Sequence, residues 1–439
     1  MATAGKDDIQ VPDAPNSADP SPRKPSLRRN ILSLYVVQLS NYAVPLITLP
    51  WLTRVLGPDG FGRLSFCTAV NVYFILLADY GFNLSATREV AMHSHDRDAR
   101  SMIFWNTITI KALLATIGFP VLLALTFGIT RFSAERSLLL LGYLTVIGTV
   151  LTPTWYFQGV ERQATLSTIT IVIRLLSVPA TFLLVTAHGD VYIAVAISAG
   201  TGVATGLVCL ALLAREGALG KFAVTPAGLV KALQEGWHLF LSTASMSLYI
   251  TTNTVLLGFV AGNTAVGHYS AAEKLSQVAH GLLVPVNQSV YPRISRLMNE
   301  SRSAAFALIR KVLRVQAGLG LALSLSLFVL APYLIRLLYG PAYEESVQVL
   351  RWLAPLPLVI GLSNVFGIHT MLPLGMKRGF TRILMSAGAL NVLLLYALAS
   401  WFGAVGAAMA VLATEALITV LMVTVLRRNG VALFRAETA

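Results

Sequence analysis

Twelve stretches of about twenty mostly apolar residues follow one another along this chain with little between them. No other feature constrains its fold as much. A helix needs roughly 20 apolar residues to cross a bilayer, because in hydrocarbon every backbone amide must find its partner within its own segment. The segments are 30–53, 63–82, 103–128, 137–157, 164–187, 190–214, 237–261, 266–290, 307–330, 347–370, 381–402 and 405–426. The longest connections, 215–236 and 291–306, are too short to hold a domain. The sequence therefore reads as an all-α, polytopic membrane protein of about twelve transmembrane helices. Only 12% of the residues are charged, against roughly 25% in an ordinary soluble domain. A soluble enzyme, a disordered chain and a secreted disulfide scaffold are excluded.

The formal charge is +13, which in a soluble protein would point to nucleic acid. Here the basic residues mark sidedness instead, because cytoplasmic loops are enriched in Lys and Arg. With the N-terminus inside, only Arg54, Arg63, Arg131, Arg136, Arg336 and Arg351 fall outside, and Lys111, Arg174 and Lys274 fall within spans. All the rest of the 33 Lys and Arg are cytoplasmic. No nucleic-acid partner is expected, and both termini are expected in the cytoplasm. Residues 1–29 hold Pro12, Pro15, Pro20, Pro22 and Pro25 among scattered acids and read as a disordered tail. A six-span lobe over 30–214, a cytoplasmic linker over 215–236, a second lobe over 237–426 and a tail over 427–439 complete the organisation.

The two lobes carry an internal repeat. Val55-Leu56-Gly57 through Gly62 and Ser65 aligns with Val260-Ala261-Gly262 through Gly267 and Ser270 at a constant offset of 205 residues. The same offset carries Arg88 onto Arg293, at the cytoplasmic ends of spans 2 and 8. Polar stripes repeat as well, with Gln38, Asn41, Pro45 and Thr48 on span 1 and Ser242, Ser245, Tyr249 and Thr252 on span 7. Six spans per repeat make the halves parallel, related by a pseudo-twofold axis along the membrane normal, as in transporters with a site between two bundles.

On these residues the chain resembles a known family. Asn41-Tyr42-Ala43-Val44-Pro45-Leu46-Ile47-Thr48-Leu49-Pro50, then Arg54-Val55-Leu56-Gly57 and Gly60-Phe61-Gly62, is similar to span 1 and its loop in the Wzx-type oligosaccharide-unit flippases. Asp79-Tyr80-Gly81-Phe82-Asn83-Leu84-Ser85-Ala86-Thr87-Arg88 resembles their span 2 exit, and Val266-Gly267-His268-Tyr269-Ser270-Ala271-Ala272-Glu273-Lys274 their span 8 entry. The resemblance implies two six-helix lobes around a central cavity in a bacterial inner membrane. It further implies transfer of undecaprenyl-diphosphate-linked sugar units between leaflets, with a polysaccharide polymerase and chain-length proteins as companions. The same superfamily holds multidrug exporters and the peptidoglycan-precursor flippase, which leaves a drug or other lipid-precursor exporter as the alternative. A membrane-embedded polymerase or transferase fits less well, since no sizeable loop is present to carry its acids and bases.

Charges inside spans cost roughly 2.5–3.5 kcal/mol each at a helix centre, so those retained here ask for a purpose. Lys111, Arg174 and Lys274, with Arg88 and Arg293 at the cytoplasmic ends, are the candidate cavity cations for a diphosphate. Arg suits phosphate oxygens through its planar fork, and Lys acts as a mobile point charge. Interhelical ion pairing is the plainer reading of the same residues. Glu273, Glu415 and Asp79 are the candidate ion-coupling acids. Glu273, Gln277, His280 and Asn287 fall at i, i+4, i+7 and i+14, predicting one polar face over four turns of span 8. Pro45 is the favoured hinge, because a proline frees a backbone carbonyl and permits a kink. No phosphate-cradling glycine loop, zinc-binding HExxH or GxSxG nucleophile motif occurs, so no metal or cofactor is expected.

Overall fold

The computed structural model describes residues 27–431, with the side chains of 27–43, 45, 242 and 245–250 outside the description. The N-terminal tail and most of the C-terminal tail expected from the sequence lie outside the described residues. So do the side chains of Gln38, Asn41, Pro45, Ser242, Ser245 and Tyr249 from the two polar stripes.

The described residues are helical, with no strand among them. The N-terminal half runs through α1 (Leu27–Asp79), α2 (Phe82–Met92), α3 (Arg97–Gly128), α4 (Thr130–Ala134), α5 (Arg136–Gly142), α6 (Leu144–Leu151), α7 (Thr154–Gly159), α8 (Gln163–Leu184) and α9 (Val191–Arg215). The C-terminal half runs through α10 (Pro226–Gly281), α11 (Val284–Glu300), α12 (Arg302–Leu338), α13 (Glu345–Leu353), α14 (Leu356–Phe366) and α15 (Lys377–Arg428), with a π-helical turn at Gly367–Met371. Three helix starts are capped by side-chain oxygens, which satisfy amides that have no partner within the helix. Asp96 accepts from Ala99 N at 2.9 Å, Thr225 from Gly228 N at 3.2 Å and Ser301 from Ala304 N at 3.4 Å.

Helices α1, α10 and α15 are 53, 56 and 52 residues long. At 1.5 Å per residue each would stretch to about 80 Å, more than twice a hydrocarbon core. Each is instead interrupted by one glycine with positive φ: Gly57 (φ 68°), Gly262 (φ 83°) and Gly403 (φ 54°). A residue with a Cβ adopts that conformation at a cost that glycine escapes. The chain turns back at these points. In α15 the Thr414 hydroxyl donates to Asn391 Oδ1 at 3.0 Å across the Gly403 turn. In α10 a Cβ at Gly258 would lie 3.4 Å from the Val266 side chain. Each long helix is therefore two spans, and the twelve-span architecture follows. Span 4 is built from α5, α6 and α7, broken before Pro153, and span 10 from α13, α14 and the π turn, broken at Pro355. The backbone runs helically through Pro45, and the sharpest departures in α1 and α10 fall on glycine instead.

The internal repeat is visible in the backbone. Gly57 and Gly262, equivalent at the 205-residue offset, share the same extended-with-positive-φ geometry (ψ 176° and −175°). A Cβ built on Gly62 would sit 1.8 Å from the Asn263 carbonyl oxygen, and one on Gly267 1.9 Å from the Pro58 carbonyl oxygen. Since Pro58 and Asn263 are themselves equivalent positions, this is one contact seen from either lobe. The lobes meet backbone against backbone around a pseudo-twofold axis.

The buried core is distributed accordingly. At the end of the bundle that carries the glycine turns, one apolar cluster runs through both lobes, from Leu56, Phe66 and Leu139 to Leu257, Val266 and Leu350. At the opposite end the core divides in two. One part, around Phe82, Phe104 and Trp155, belongs to the N-terminal lobe, with Leu229 and Leu233 at the start of α10 packed against it. The other, around Ile294, Ile309 and Met371, belongs to the C-terminal lobe. Free Cys67 and Cys209 are both buried, and the Cys67 thiol donates to Leu138 O at 3.1 Å.

Adding one methyl at the seam overpacks backbone that has little room to shift, which costs about 1–3 kcal/mol. Gly62→Ala and Gly267→Ala should each lower the thermal midpoint of the detergent-solubilised protein by several degrees. Gly200→Ala, inside α9 where a Cβ meets nothing within 4 Å, should leave it unchanged or raise it slightly, since alanine favours a helix interior over glycine.

Candidate functional site

Directly beneath the glycine turns the seam is closed by polar groups from both lobes. Arg63 donates from Nε to Glu135 Oε1 and Oε2 at 3.0 and 2.9 Å, and its Nη2 lies 2.9 Å from Oε2. Asn263 of the other lobe donates to Glu135 Oε1 at 3.1 Å and accepts from Arg131. The Arg131 guanidinium lies 4.6 Å over the Phe66 ring. Phe66, Phe132 and Phe259 then pack edge-on or tilted against one another at 5.2–6.1 Å. The second lobe has a counterpart to the Arg63–Glu135 pair. His268, equivalent to Arg63, places Nε2 3.4 Å from Glu345 and Nδ1 3.1 Å from the Ser346 hydroxyl.

Seven residues along a helix return to nearly the same face. Lys274 therefore points the way Gly267 points, toward the opposite lobe, yet its side chain is exposed, with Nζ 3.4 Å from Gln277 Oε1. The equivalent position on span 2, Ala69, seven residues beyond Gly62, is buried. A cross-lobe hydrogen bond between the Tyr73 and Thr252 hydroxyls (3.1 Å) lies farther down. The lobes meet again at the opposite end, where a Cβ on Gly81 would lie 2.9 Å from Phe240 N and the Tyr80 and Phe240 rings stack at 4.9 Å. Glu273 is half-buried, with Lys274 and Gln277 as its polar neighbours.

Lys111 and Asp79, expected in separate roles, are one ion pair. Lys111 Nζ sits 2.8 Å from Asp79 Oδ1 and donates to the Thr149 carbonyl at 3.0 Å, with the lysine side chain 1% exposed. Asn83 links this pair to Thr154, donating to Asp79 at 3.3 Å and accepting from the Thr154 hydroxyl at 2.7 Å. Arg174 is exposed on α8 beside exposed Leu175 and Leu176, with no ion-pair partner among the described residues. Arg88 and Arg293 are exposed on α2 and α11, the two helices that follow an elbow at the end of spans 2 and 8. Glu415 is half-buried on α15.

One expectation needs correction. Glu273, Gln277, His280 and Asn287 do not form one face, because α10 ends at Gly281 and α11 begins at Val284. Pro285 supplies no amide hydrogen and its ring clashes with the carbonyl four residues back, which favours the break seen here, with Pro285 in the first turn of α11. Asn287 turns instead into the second lobe, where its Oδ1 accepts from Gln316 Nε2 at 2.7 Å and faces His369 Nε2 at 2.9 Å. A second buried group joins Asn253, Asn391 and Thr414: Asn391 donates to Asn253 at 2.6 Å and accepts from Thr414 at 3.0 Å. Among the described residues no His, Cys, Asp and Glu group has the arrangement of a metal site.

The polysaccharide biosynthesis protein family matches residues 27–298. A protein of Escherichia coli (strain K12) named "Putative O-antigen transporter" is 38% identical over 406 residues, 92% of this chain and 98% of that one. The chain belongs to the polysaccharide biosynthesis protein family. A Shigella dysenteriae protein of the same name is 30% identical over 401 residues, covering 90% of this chain and 99% of that one. Two solved structures share this family member's fold with TM-scores of 0.72. They are an inward-facing multidrug resistance MATE family transporter of the MOP superfamily (14% identity; 93% of this chain, 99% of that chain) and the lipid II flippase MurJ in an inward closed conformation (11%; 90% and 87%).

The Arg63–Glu135–Asn263–Arg131 group of this family member is not among the residues that the sequence singled out. Its signal was present, since Arg63 and His268 occupy equivalent positions of the repeat, but their acidic partners lie on spans 4 and 10, outside the aligned segment. The Lys111–Asp79 pair supports the ion-pairing reading of those charges. Removing one partner, by Lys111→Met or Asp79→Asn, leaves a desolvated group unpaired. The cost should be about 3 kcal/mol, the low end of the usual range, because the Asp79 side chain keeps 21% of its exposure. The double variant Lys111→Met/Asp79→Leu should recover most of that loss in thermal unfolding of the solubilised protein.

Proposed function

We infer that this chain is a transporter that carries lipid-linked oligosaccharide units across the membrane for polysaccharide assembly. The observation that carries the reading is the division of the core. The lobes share one buried cluster at the glycine-turn end and have separate clusters at the other, as alternating access between two rocking bundles requires. The E. coli and Shigella relatives bear O-antigen transporter names, which supports a sugar-bearing cargo. With the basic end cytoplasmic, as the distribution of Lys and Arg favours, the separate cores face inward in the inner membrane, spans 2 and 7 still touch there at Gly81 and Phe240, and both termini are in the cytoplasm.

In this reading the cargo is an undecaprenyl-diphosphate oligosaccharide. Its diphosphate enters from the basic end past Arg88 and Arg293, and the exposed Lys274 meets it between the lobes. Arg174 is the second accessible cation. Lys111 is tied to Asp79 and serves the N-terminal lobe's packing. Glu273, beside Lys274, is the acid placed to couple a proton or cation to the movement, with Glu415 the second. The lobes are taken as 30–214 and 237–426, joined through 215–236, and a polymerase and chain-length proteins as downstream partners.

The test is translocation in proteoliposomes, with fluorescent undecaprenyl-diphosphate oligosaccharide beside a cationic dye. A hydrogen bond to a charged group contributes about 1.5–3 kcal/mol, so Lys274→Ala and Arg174→Ala should each slow lipid movement roughly tenfold or more. An imposed pH gradient should change the wild-type rate and leave Glu273→Gln indifferent. Dye transport without lipid movement would overturn the reading in favour of a drug exporter.

A further inference from the structure

At the basic end of the N-terminal lobe, away from the cleft, a cavity of about 240 Å³ opens among the ends of four spans. Arg97 and Arg100 reach it from the start of α3, Tyr156 from α7, Arg162 from the turn before α8 and Glu216 from the end of α9. Arg162 and Glu216 form a two-pronged pair at 2.5 and 2.8 Å. Hydrogen bonding to Arg162 holds the Glu216 carboxyl below the ordinary carboxylate range, so the pair stays charged. Arg97 donates to the Gly217 carbonyl. Arg100 has a different status: it makes no ion pair among the described residues, and its Nε is buried without a hydrogen-bond partner. Three guanidiniums against one carboxylate leave the cavity two positive charges in excess, with donors unspent.

The neighbourhood is built for a membrane surface. The segment after Glu216 is pinned along α3, with Gly220 N donating to the Ser101 hydroxyl (2.9 Å) and Thr225 N to Asn106 Oδ1 (3.2 Å). That pinning holds Phe222 against Trp105, ring centroids 5.0 Å apart, with the phenyl group 69% exposed. Exposed aromatic groups at span ends sit at headgroup level. Basic pockets between transmembrane helices on the side facing an anionic leaflet suit phosphate headgroups, and the arginine fork matches phosphate oxygens.

We propose that the Arg97–Arg100–Arg162 cavity is a binding site for the headgroup phosphate of an anionic membrane phospholipid, seated at the root of the segment that joins the two lobes. Arg100 supplies the free donors, Arg97 turns from Gly217 to share the phosphate, and Phe222 rests at headgroup level beside the lipid. Through Gly217 the bound lipid acts on the connection between lobes, independently of what the cleft carries.

The experiment uses the full chain, purified and delipidated in a neutral detergent. It is titrated separately with phosphatidylglycerol, phosphatidylcholine and inorganic phosphate, while native mass spectrometry counts bound molecules. One phosphatidylglycerol should bind the wild type above the background set by phosphatidylcholine. Each arginine near an anionic lipid contributes enough for about a fivefold change in affinity. Arg100→Gln should therefore weaken binding about fivefold and Arg97→Gln/Arg100→Gln more than tenfold. Arg100→Lys should keep most of it, and Arg378→Gln, at the exposed start of α15, all of it. The lipid-free thermal midpoints of the variants separate lost binding from lost folding, and Arg97→Gln alone, at an exposed position, is the fallback if the double variant unfolds. Equal binding by wild type and the folded arginine variants overturns the proposal. So does inorganic phosphate binding as tightly as the lipid, which would assign the cavity to a soluble anion.

Discussion

Everything in this architecture hangs on the close approach of two helix backbones at Gly62 and Gly267. Neither position has room for a side chain, because each faces the carbonyl oxygen of the other lobe. In a bilayer there is no hydrophobic force to pull helices together, since lipid tails are as apolar as leucine. Small residues that let backbones touch take over that role. The seam aligns the pseudo-twofold axis, positions spans 2 and 8 side by side, and brings Arg63, Glu135 and Asn263 within hydrogen-bonding distance. Below it the contacts between lobes are narrower, the Tyr73–Thr252 hydrogen bond and, at the far end, Gly81 against Phe240. The lobes' cores are separate at the far end, so the seam acts as the pivot about which the rest is arranged.

Polar groups inside the bundle divide by their degree of satisfaction. Lys111, Asp79, Asn83 and Thr154 are tied within one lobe, as are Asn253, Asn391 and Thr414 within the other. Such closed sets specify how helices pack, because a donor left unpaired in a dry interior costs far more than a pair contributes. Lys274 is different: it is exposed, with a glutamine at 3.4 Å as its polar contact. Lys111 holds helices because the fold supplies its counterpart, and in the function proposed above Lys274 is left to find its counterpart in the cargo.

Much of this was legible in the residues. The apolar segments gave the spans, since each crossing must satisfy its own backbone, and the offset between Gly57 and Gly262 anticipated equivalent turns in two equivalent halves. The polar partners were not legible. Lys111 finds Asp79 and Arg63 finds Glu135 through tertiary packing between spans far apart in sequence, and periodicity along one helix carries no information about that. The face expected through Asn287 failed for a local reason that the sequence did contain: Pro285 stands where the helix would have to continue. The chain reverses between spans where positive φ is needed, at Gly57, Gly262 and Gly403, and glycine adopts that conformation freely.

The bolt across the seam is unequal in the charges it draws from each lobe. Arg63, Arg131 and Glu135 all belong to the N-terminal lobe, and the partner offers only the neutral amide of Asn263. If the lobes separate at this end, the carboxylate keeps its arginine and no lone charge is stranded in either half. Release at this face breaks hydrogen bonds to charged groups, of about 1.5–3 kcal/mol each, including those that Arg54 donates to the Leu337 and Leu338 carbonyls of the other lobe, and spares the Arg63–Glu135 salt bridge. In the transport cycle proposed above, such a fastening reopens without the desolvation barrier that a cross-lobe ion pair would impose.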